Sequence, residues 1–455
     1  MKKIIISILL VLGAAALPII GQKITQAELD SKIDELKTYG LEVKNPSIDS
    51  SYLNTSNHYE FALKDSEKFL NYLSQMSGDK LPSYTKSLLD GTVVGADIKY
   101  SNIAFASDME IEIYPLALPK QTAADLKKND ANLFKFIDGL LDDKALLYHI
   151  NYNLGSKDFD GYVKDIDKSY TDASAKSVNF KISGLTYIGN GSLFKPQMLK
   201  SNLDEITISV TDKDEKVSFI LKKLKVNTDF KTLTTYSSQV NLESMKVDVE
   251  GISQFHTSLD NLNFNLAADT QGNKAFFDTK TSVKEFTMSS KDGDIVLKKF
   301  NYEVNLKDID KDSFEELRVL VSKIDTMNEI KLQKEIQTTL AKLFSKGLVL
   351  DLKDLSIDEI EIYNNKKSKG FSLKSNIVLK ADKDFEKKLK TFPAKLANNL
   401  SIDTVFKISK SMFELVNKEA PISEMASKFA KEEGDKLVFE IKFIDSKLTV
   451  NGKKI

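Results

Sequence analysis

Hydrophobic and polar residues alternate along most of this chain, and the alternation predicts strands. In "YEFAL" the side chains of Tyr59, Phe61 and Leu63 share one face; in "YHINYNL" Tyr148, Ile150, Tyr152 and Leu154 do so. "VNFKI" places Val178, Phe180 and Ile182 together. A period of two puts successive side chains on opposite faces of a sheet, so each stretch reads as a half-buried strand. The clearest hairpin is "ITISVTDKDEKVSFIL", where Ile206, Ile208 and Val210 alternate, a polar turn covers Asp212–Lys216, and Val217, Phe219 and Leu221 alternate again. A lone hairpin is marginal in water, so this one must belong to a broader sheet covered on one face. Leu221-Lys222-Lys223-Leu224 is echoed 76 residues later by Leu297-Lys298-Lys299-Phe300, each copy following a charged turn and preceding an alternating strand.

Helical spacing interrupts this pattern in a few places. "ITQAELDSKIDELKTYG" is amphipathic, with Thr25 and Glu28 as a capping box and Gly40 as its stop. Residues 123–143 carry Leu133, Phe134, Ile137, Leu140 and Leu141 on one stripe. Residues 313–346 read as a further helix, with Ser313 and Glu316 as its capping box and Gly347 as its stop. "FEKKLKTFPAKLANNL" is broken by Pro393, and a helical stretch around "ISKSMFELVNK" follows. Such stripes are core-facing surfaces far more often than cofactor sites. Hairpins recur and regular strand–helix–strand alternation does not. The expected class is therefore α+β: an elongated, mainly antiparallel, twisted sheet with a few amphipathic helices packed on it.

The N-terminus breaks the pattern. Lys2 and Lys3 precede an uncharged run from Ile4 to Gln22 that would span about 28 Å as a helix, close to a bilayer core. Two readings stay open. Ala14-Ala15-Ala16 offers a cleavage site, as in a secretory signal. Alternatively the apolar run, which continues through Leu17, Ile19 and Ile20, is an uncleaved anchor. The lysines before the run predict a cytoplasmic N-terminus and an exported bulk. The expected organisation is 1–22 as anchor or signal, 23–310 as a strand-rich exported region with short helices, and 311–455 as a helix-plus-hairpin region of the same body. At the other end, in "FEIKFIDSKLTVNGKKI", Phe439, Ile441 and Phe443 alternate, Asp445-Ser446-Lys447 turns, and Leu448 and Val450 return. Asn451-Gly452 then reads as a strand terminator at an intact C-terminus, with two lysines behind it discouraging edge pairing.

Composition narrows the chemistry. The chain has 455 residues, 41% hydrophobic and 29% charged, with net charge −1. That is an ordinary folded composition with no field favouring nucleic acid. The positive charge is almost all lysine, and the only arginine is Arg318, so bidentate phosphate or base recognition has little to work with. There is no cysteine, which excludes thiol catalysis, disulfides, cysteine-ligated metals and lipid attachment through an N-terminal cysteine. His58, His149 and His256 each sit opposite an apolar strand face, none beside a nucleophile motif and no two at metal-ligand spacing. "GNGSLF" at 189–194 lacks the third glycine of a dinucleotide fingerprint. The stretch 308–319 alternates Asp308, Asp310 and Asp312 like a calcium loop, but has Ser313 where glycine belongs and Val319 where glutamate belongs. No catalytic, cofactor-binding or metal-binding residue is therefore assigned, and no cofactor.

Three stretches resemble the YdgA-like family of bacterial envelope proteins: "GQKITQ" directly after the apolar run, "NYEVNLKDIDKDSFEEL" mid-chain, and the ending "GDKLVFEIKFIDSKLTVNGKKI". The ending is the most specific of the three. The resemblance implies an inner-membrane anchor through residues 4–22, a periplasmic body and no known cofactor; a soluble periplasmic protein after signal cleavage is the alternative. A more distant likeness, in architecture only, is to AsmA-like envelope proteins. The expected function is non-enzymatic, with lipid or another hydrophobic ligand bound on an apolar sheet face. The competing readings are an envelope scaffold contacting a protein partner without a small-molecule ligand and, more remotely, a hydrolase using a carboxylate pair.

Overall fold

The computed structural model describes residues 33–51, 54–77, 89–101, 108–171, 176–192, 195–213, 215–232, 234–251, 254–291, 293–321, 329–362, 366–391, 393–419 and 428–455. It is mostly open antiparallel sheet, with 63% of residues in strands and several helices. The candidate anchor at 4–22 and the capping box at Thr25 and Glu28 lie outside the described residues. Among those described, no helix is long and apolar enough to cross a membrane. Two compact units form, Met1–Ser218 with Lys222–Asn227, and Phe219–Leu221 with Thr228–Ile455, so the division falls within one strand.

In the first unit, residues 33–38 are helical, bury Ile33 and Leu36, and stop at Gly40, whose φ of +92° favours glycine. The strands are β1 (Leu41–Ser50), β2 (Asn54–Leu63), β3 (Val93–Ser101), β4 (Asp108–Ala117), β5 (Tyr148–Asn153), β6 (Asp158–Val163), β7 (Ile166–Thr171), β8 (Ser177–Ser183), β9 (Thr186–Ser192) and β10 (Lys195–Asp212). They pair antiparallel in the series β1–β2–β3–β4–β5–β6–β9–β10–β8–β7. The expected alternation sets the core: Tyr59, Phe61, Ile98, Ile111, Ile113, Ile150 and Tyr152 are all buried. Val178, Phe180 and Ile182 are buried on β8 in the same way.

Helix α1 (Ser66–Ser77) follows β2, and α2 (Lys120–Asn129) and α3 (Ala131–Asp142) follow β4. The single helix expected at 123–143 is thus two. Asp130 leaves helical geometry (φ −155°, ψ 81°) and its carboxylate accepts from the Leu133 N–H at 2.9 Å, capping α3. A short acidic side chain that binds nearby backbone favours a new N-terminus over helix continuation.

In the second unit, β11 (Glu215–Phe230), which straddles the division, is followed by β12 (Tyr236–Glu250), β13 (Phe255–Gln271), β14 (Lys274–Ser290), β15 (Gly293–Asp310), β16 (Leu348–Ile362), β17 (Lys366–Leu379) and β18 (Leu400–Ser409). Strands β12 to β18 pair in sequence order, and β18 then pairs with β20 (Lys436–Ile444). The strand β20 also holds β19 (Lys431–Glu433) and β21 (Lys447–Val450), and β21 pairs with β22 (Lys453–Lys454). Helices α4 (Lys311–Val321), α5 (Glu329–Ser345), α6 (Phe385–Thr391) and α7 (Lys410–Glu419) lie between strands.

Two local expectations are corrected. The cap of α4 is Asp310, whose carboxylate accepts from the Ser313 N–H at 3.0 Å and from its hydroxyl at 2.5 Å. Glu316, expected in a capping box, instead pairs with Lys342 of α5 at 2.7 Å. Asn451-Gly452 is a turn, not a terminator: φ is +47° and +78°, and Val450 pairs with Lys453 and Thr449 with Lys454. Both residues at positive φ match the two-residue hairpin turn that Asn-Gly favours.

The lysine echo also acquires a cause. Lys223 and Lys299 have φ of +50° and +51°. A left-handed residue interrupts the two-residue alternation, so residues three apart come to lie on one face; the register does not slip, since Lys298 still pairs with Glu285 and Phe300 with Val283. Leu297 and Phe300 thereby both stay on the apolar side, facing Phe286 and Val283 of β14. Asn261 (φ +50°) does the same between Leu259 and Leu262 on β13.

Candidate functional site

The second unit separates its side chains by face with unusual consistency. Residues directly opposite in an antiparallel pair share a face, so register traces each row across the sheet. One row runs Val240, Phe264, Thr281, Tyr302, Leu355, Leu373, Phe406 and Phe439, from β12 to β20. The next runs Ser238, Leu266, Thr279, Val304, Leu352, Ser375, Thr404 and Ile441. On the other side of the first row lie Leu242, Leu262, Val283 and Phe300, then Met245, Leu259, Phe286, Leu297 and Ile360. None of these positions carries a charge. The opposite face is charged and cross-paired: Lys280 meets Glu303 at 3.1 Å, Lys307 meets Asp351 at 3.2 Å and Lys298 meets Glu359 at 2.7 Å.

Helices meet the apolar face near two ends. Phe314, Leu343 and Phe344 pack with Ala275, Phe277, Leu306 and Ile309. Met412, Phe413 and Phe429 pack with Phe371, Phe406, Ile408 and Phe439. The rows' members on β12 to β17 belong to neither cluster, while Phe406, Phe439 and Ile441 at the far end of the first two rows belong to the second. Phe264, Phe286, Leu297, Phe300, Tyr302, Leu355 and Leu373 there are half-buried. With strands about 4.8 Å apart and same-face residues about 6.8 Å apart, two rows over six strands, one over five and one over four cover on the order of 700 Å² of sheet. Leu242, Val283, Val304 and Ile360 in these rows are buried, so the exposed apolar part is smaller than this footprint.

The first unit presents a different feature on the polar face of β2–β6. Register places His58 opposite Asp97, Asp97 opposite Glu112, Glu112 opposite His149, and His149 opposite Tyr162. The row is thus a ladder of titratable groups across five strands. Asp97 is its most connected member. Its carboxylate faces His58 Nδ1 at 2.6 Å and accepts from Tyr114 Oη at 2.8 Å and Lys144 Nζ at 3.0 Å. Burial alone would raise this carboxyl, but the donors from His58, Lys144 and Tyr114 together hold it below the ordinary carboxylate range. Lys144 follows α3 in the left-handed region (φ +46°), and its ammonium lies 3.7 Å from the centre of the Tyr114 ring. Tyr114 in turn lies across Gly95, where a Cβ would come within 2.4 Å of the ring.

Glu110 and Glu112 project from the same side of β4, and His149 stands opposite Glu112 on β5. Their ligand atoms all lie within 4.8 Å of one another, a spacing at which one metal ion can be held. Register created this group: the chain separates Glu112 from His149 by a helix pair, and no spacing motif could reveal it. The third histidine, His256, is paired with Asp248 on the neighbouring strand β12. A groove of about 860 Å³ adjoins the strand ends, lined by Lys99, Asp108, Glu110, Asn151, Asp158 and Asp160 among others.

No curated protein and no solved structure matches the chain. A family model described as a bacterial protein of unknown function (DUF945) matches residues 148–455, and the chain belongs to that family.

Proposed function

We propose that this is a non-enzymatic, membrane-anchored protein of the bacterial envelope that holds lipid, or another hydrophobic molecule, against the apolar face of its second unit. The observation that carries the reading is the uncharged field of four rows, each crossing four to six strands, between two helix-covered ends. Leaving the exposed part of these half-buried side chains in water is costly at about 25 cal/mol per Å², and acyl chains have the width and flexibility to cover it. The anchor reading of residues 4–22 supports placement at a membrane, where such ligands are supplied. The likeness of the chain's two ends and its middle to YdgA-like proteins supports the periplasmic side of the inner membrane.

The test is to isolate the full chain from bacterial membranes in a lipid-preserving polymer, then extract and identify bound lipid. Binding of a fluorescent phospholipid is measured in parallel. The wild type should carry lipid beyond the annulus of an anchor peptide made from residues 1–32 alone. Phe264→Asp with Tyr302→Asp should abolish the excess, while Lys280→Gln on the polar face should not. Absence of any excess over the anchor peptide defeats the proposal.

A further inference from the structure

We propose that Glu110, Glu112 and His149 form a binding site for one divalent first-row transition-metal ion, with zinc the best match. The inference goes beyond the lipid reading and does not depend on it. It rests on the geometry around the His149 ring. Nε2 lies 3.2 Å from Asn151 Oδ1, which accepts only, so Nε2 carries the proton. Asn151 is held in that orientation because its amide nitrogen donates to Asp160 Oδ2 at 3.0 Å. In the tautomer with its proton on Nε2, Nδ1 presents a lone pair. Nδ1 is buried and has no hydrogen-bond partner, and Glu112 Oε1 faces it at 3.8 Å. In that tautomer the two face each other as acceptors that one cation can join. Tetrahedral bonds of about 2.0–2.1 Å from one zinc ion put two ligand atoms roughly 3.3–3.4 Å apart, so the pair needs to close by only about 0.4 Å around the ion.

The surroundings fit a ligand imidazole. A metal-bound histidine usually donates its other nitrogen to a fixed oxygen, and Asn151 backed by Asp160 supplies that partner. Tyr162 stacks on the ring at 4.8 Å between centroids, fixing its plane. Tyr187 donates to the His149 carbonyl at 3.0 Å, and burial raises its phenol so that it stays a donor. Gly161 leaves the room for this contact, since a Cβ there would come within 2.6 Å of the Tyr187 oxygen. One imidazole and two carboxylates select a borderline ion over calcium or magnesium, which take oxygen alone. Three protein ligands leave a coordination position for water or for a small anion. The charged neighbours are Asp97, opposite Glu112, and Lys99, which pairs with Glu110 at 3.2 Å and competes with the ion. That pair is largely exposed and therefore weak. Glu110 also lines the 860 Å³ groove, which provides an entry path.

The experiment titrates the detergent-solubilised full chain, stripped with chelator, first with Co²⁺ and then with Zn²⁺. The expected result is one Co²⁺ per chain with the visible ligand-field band of a low-coordinate ion, displaced by Zn²⁺. Glu112→Gln, which preserves shape, and His149→Gln should each weaken Zn²⁺ binding at least about tenfold, and Asn151→Ala by about tenfold through the ring alone. Lys99→Ala should tighten it. No band at equimolar Co²⁺, or a band and affinity unchanged in both Glu112→Gln and His149→Gln with native circular dichroism, overturns the site. The second outcome would mark the ion as adventitious.

Discussion

Replacing Asn451 with alanine tests how the second unit closes its C-terminal end. The Asn451 amide nitrogen donates to the Phe429 carbonyl at 2.6 Å and to the Val438 carbonyl at 2.8 Å, and its oxygen accepts from the Glu440 N–H at 2.9 Å. One side chain therefore ties the turn after β21 to β20 and to the segment before β19. Each bond contributes about 0.5–1.5 kcal/mol net, and more where the abandoned partner is buried. Val438 is 1% exposed, so water cannot replace the lost donor there. Alanine at a φ of +47° adds about 1 kcal/mol of backbone strain. The expected loss is about 3 kcal/mol, or a fall of roughly 6–12 °C in melting temperature for a unit of this size. Asn451→Gly loses the same three bonds without the strain, so it should fall between alanine and the wild type. Urea unfolding followed by circular dichroism measures both. An Asn451→Ala midpoint within about 0.5 kcal/mol of wild type would refute the assignment of the latch, as would a glycine variant no less stable than wild type.

Three further outcomes follow from the same reasoning. Asp97→Asn should destabilise the first unit by about 2–3 kcal/mol at neutral pH, because it removes the charge facing Lys144 and His58. The Asp97 carboxyl is held below its ordinary value, so its contribution is complete above an unfolded value near about 4 and is lost as pH falls through the folded value. The wild type–variant gap should accordingly shrink on acidification; an equal gap at pH 3 and pH 7 contradicts this. Both Lys299→Val and Lys299→Gly lose the exposed pair with Asp358, but valine should cost about 1–2 kcal/mol more than glycine because only it opposes a φ of +51°; equal unfolding midpoints would argue against the left-handed residue. Gly95→Ala should cost about 1–3 kcal/mol by driving a methyl into Tyr114, and Tyr114→Leu in the same background should recover part of it in chemical denaturation.

What the sequence conveyed was periodicity. Tyr59, Phe61 and Leu63, or Val178, Phe180 and Ile182, announce their face because an alternating strand has one way to bury them. The lysine echo was visible as letters, yet its meaning depended on φ at Lys223 and Lys299, which no side-chain pattern encodes. The helix starts at Asp130 and Asp310 escaped the pattern for a related reason. Each aspartate competes locally for backbone N–H groups, and the outcome depends on which helix start is packed. At Asn451-Gly452 the turn chemistry was legible, but the two-residue return strand β22 was too short to show as alternation. The Glu110–Glu112–His149 group was beyond reach altogether. Its members meet through the register of β4 with β5, and register is set by the whole buried face, not by the residues that profit from it.

The central claim is that the apolar face of the second unit carries hydrophobic ligand. It is tested most directly by loading the full chain in native membranes with a photoactivatable fatty acid, irradiating, and mapping adducts by peptide mass spectrometry. The account predicts adducts at Leu262, Phe264, Phe286, Phe300, Tyr302, Leu355 and Leu373, and none on the lysine-rich face of the same strands. Adducts confined to residues 1–32, or spread equally over both faces, would contradict it.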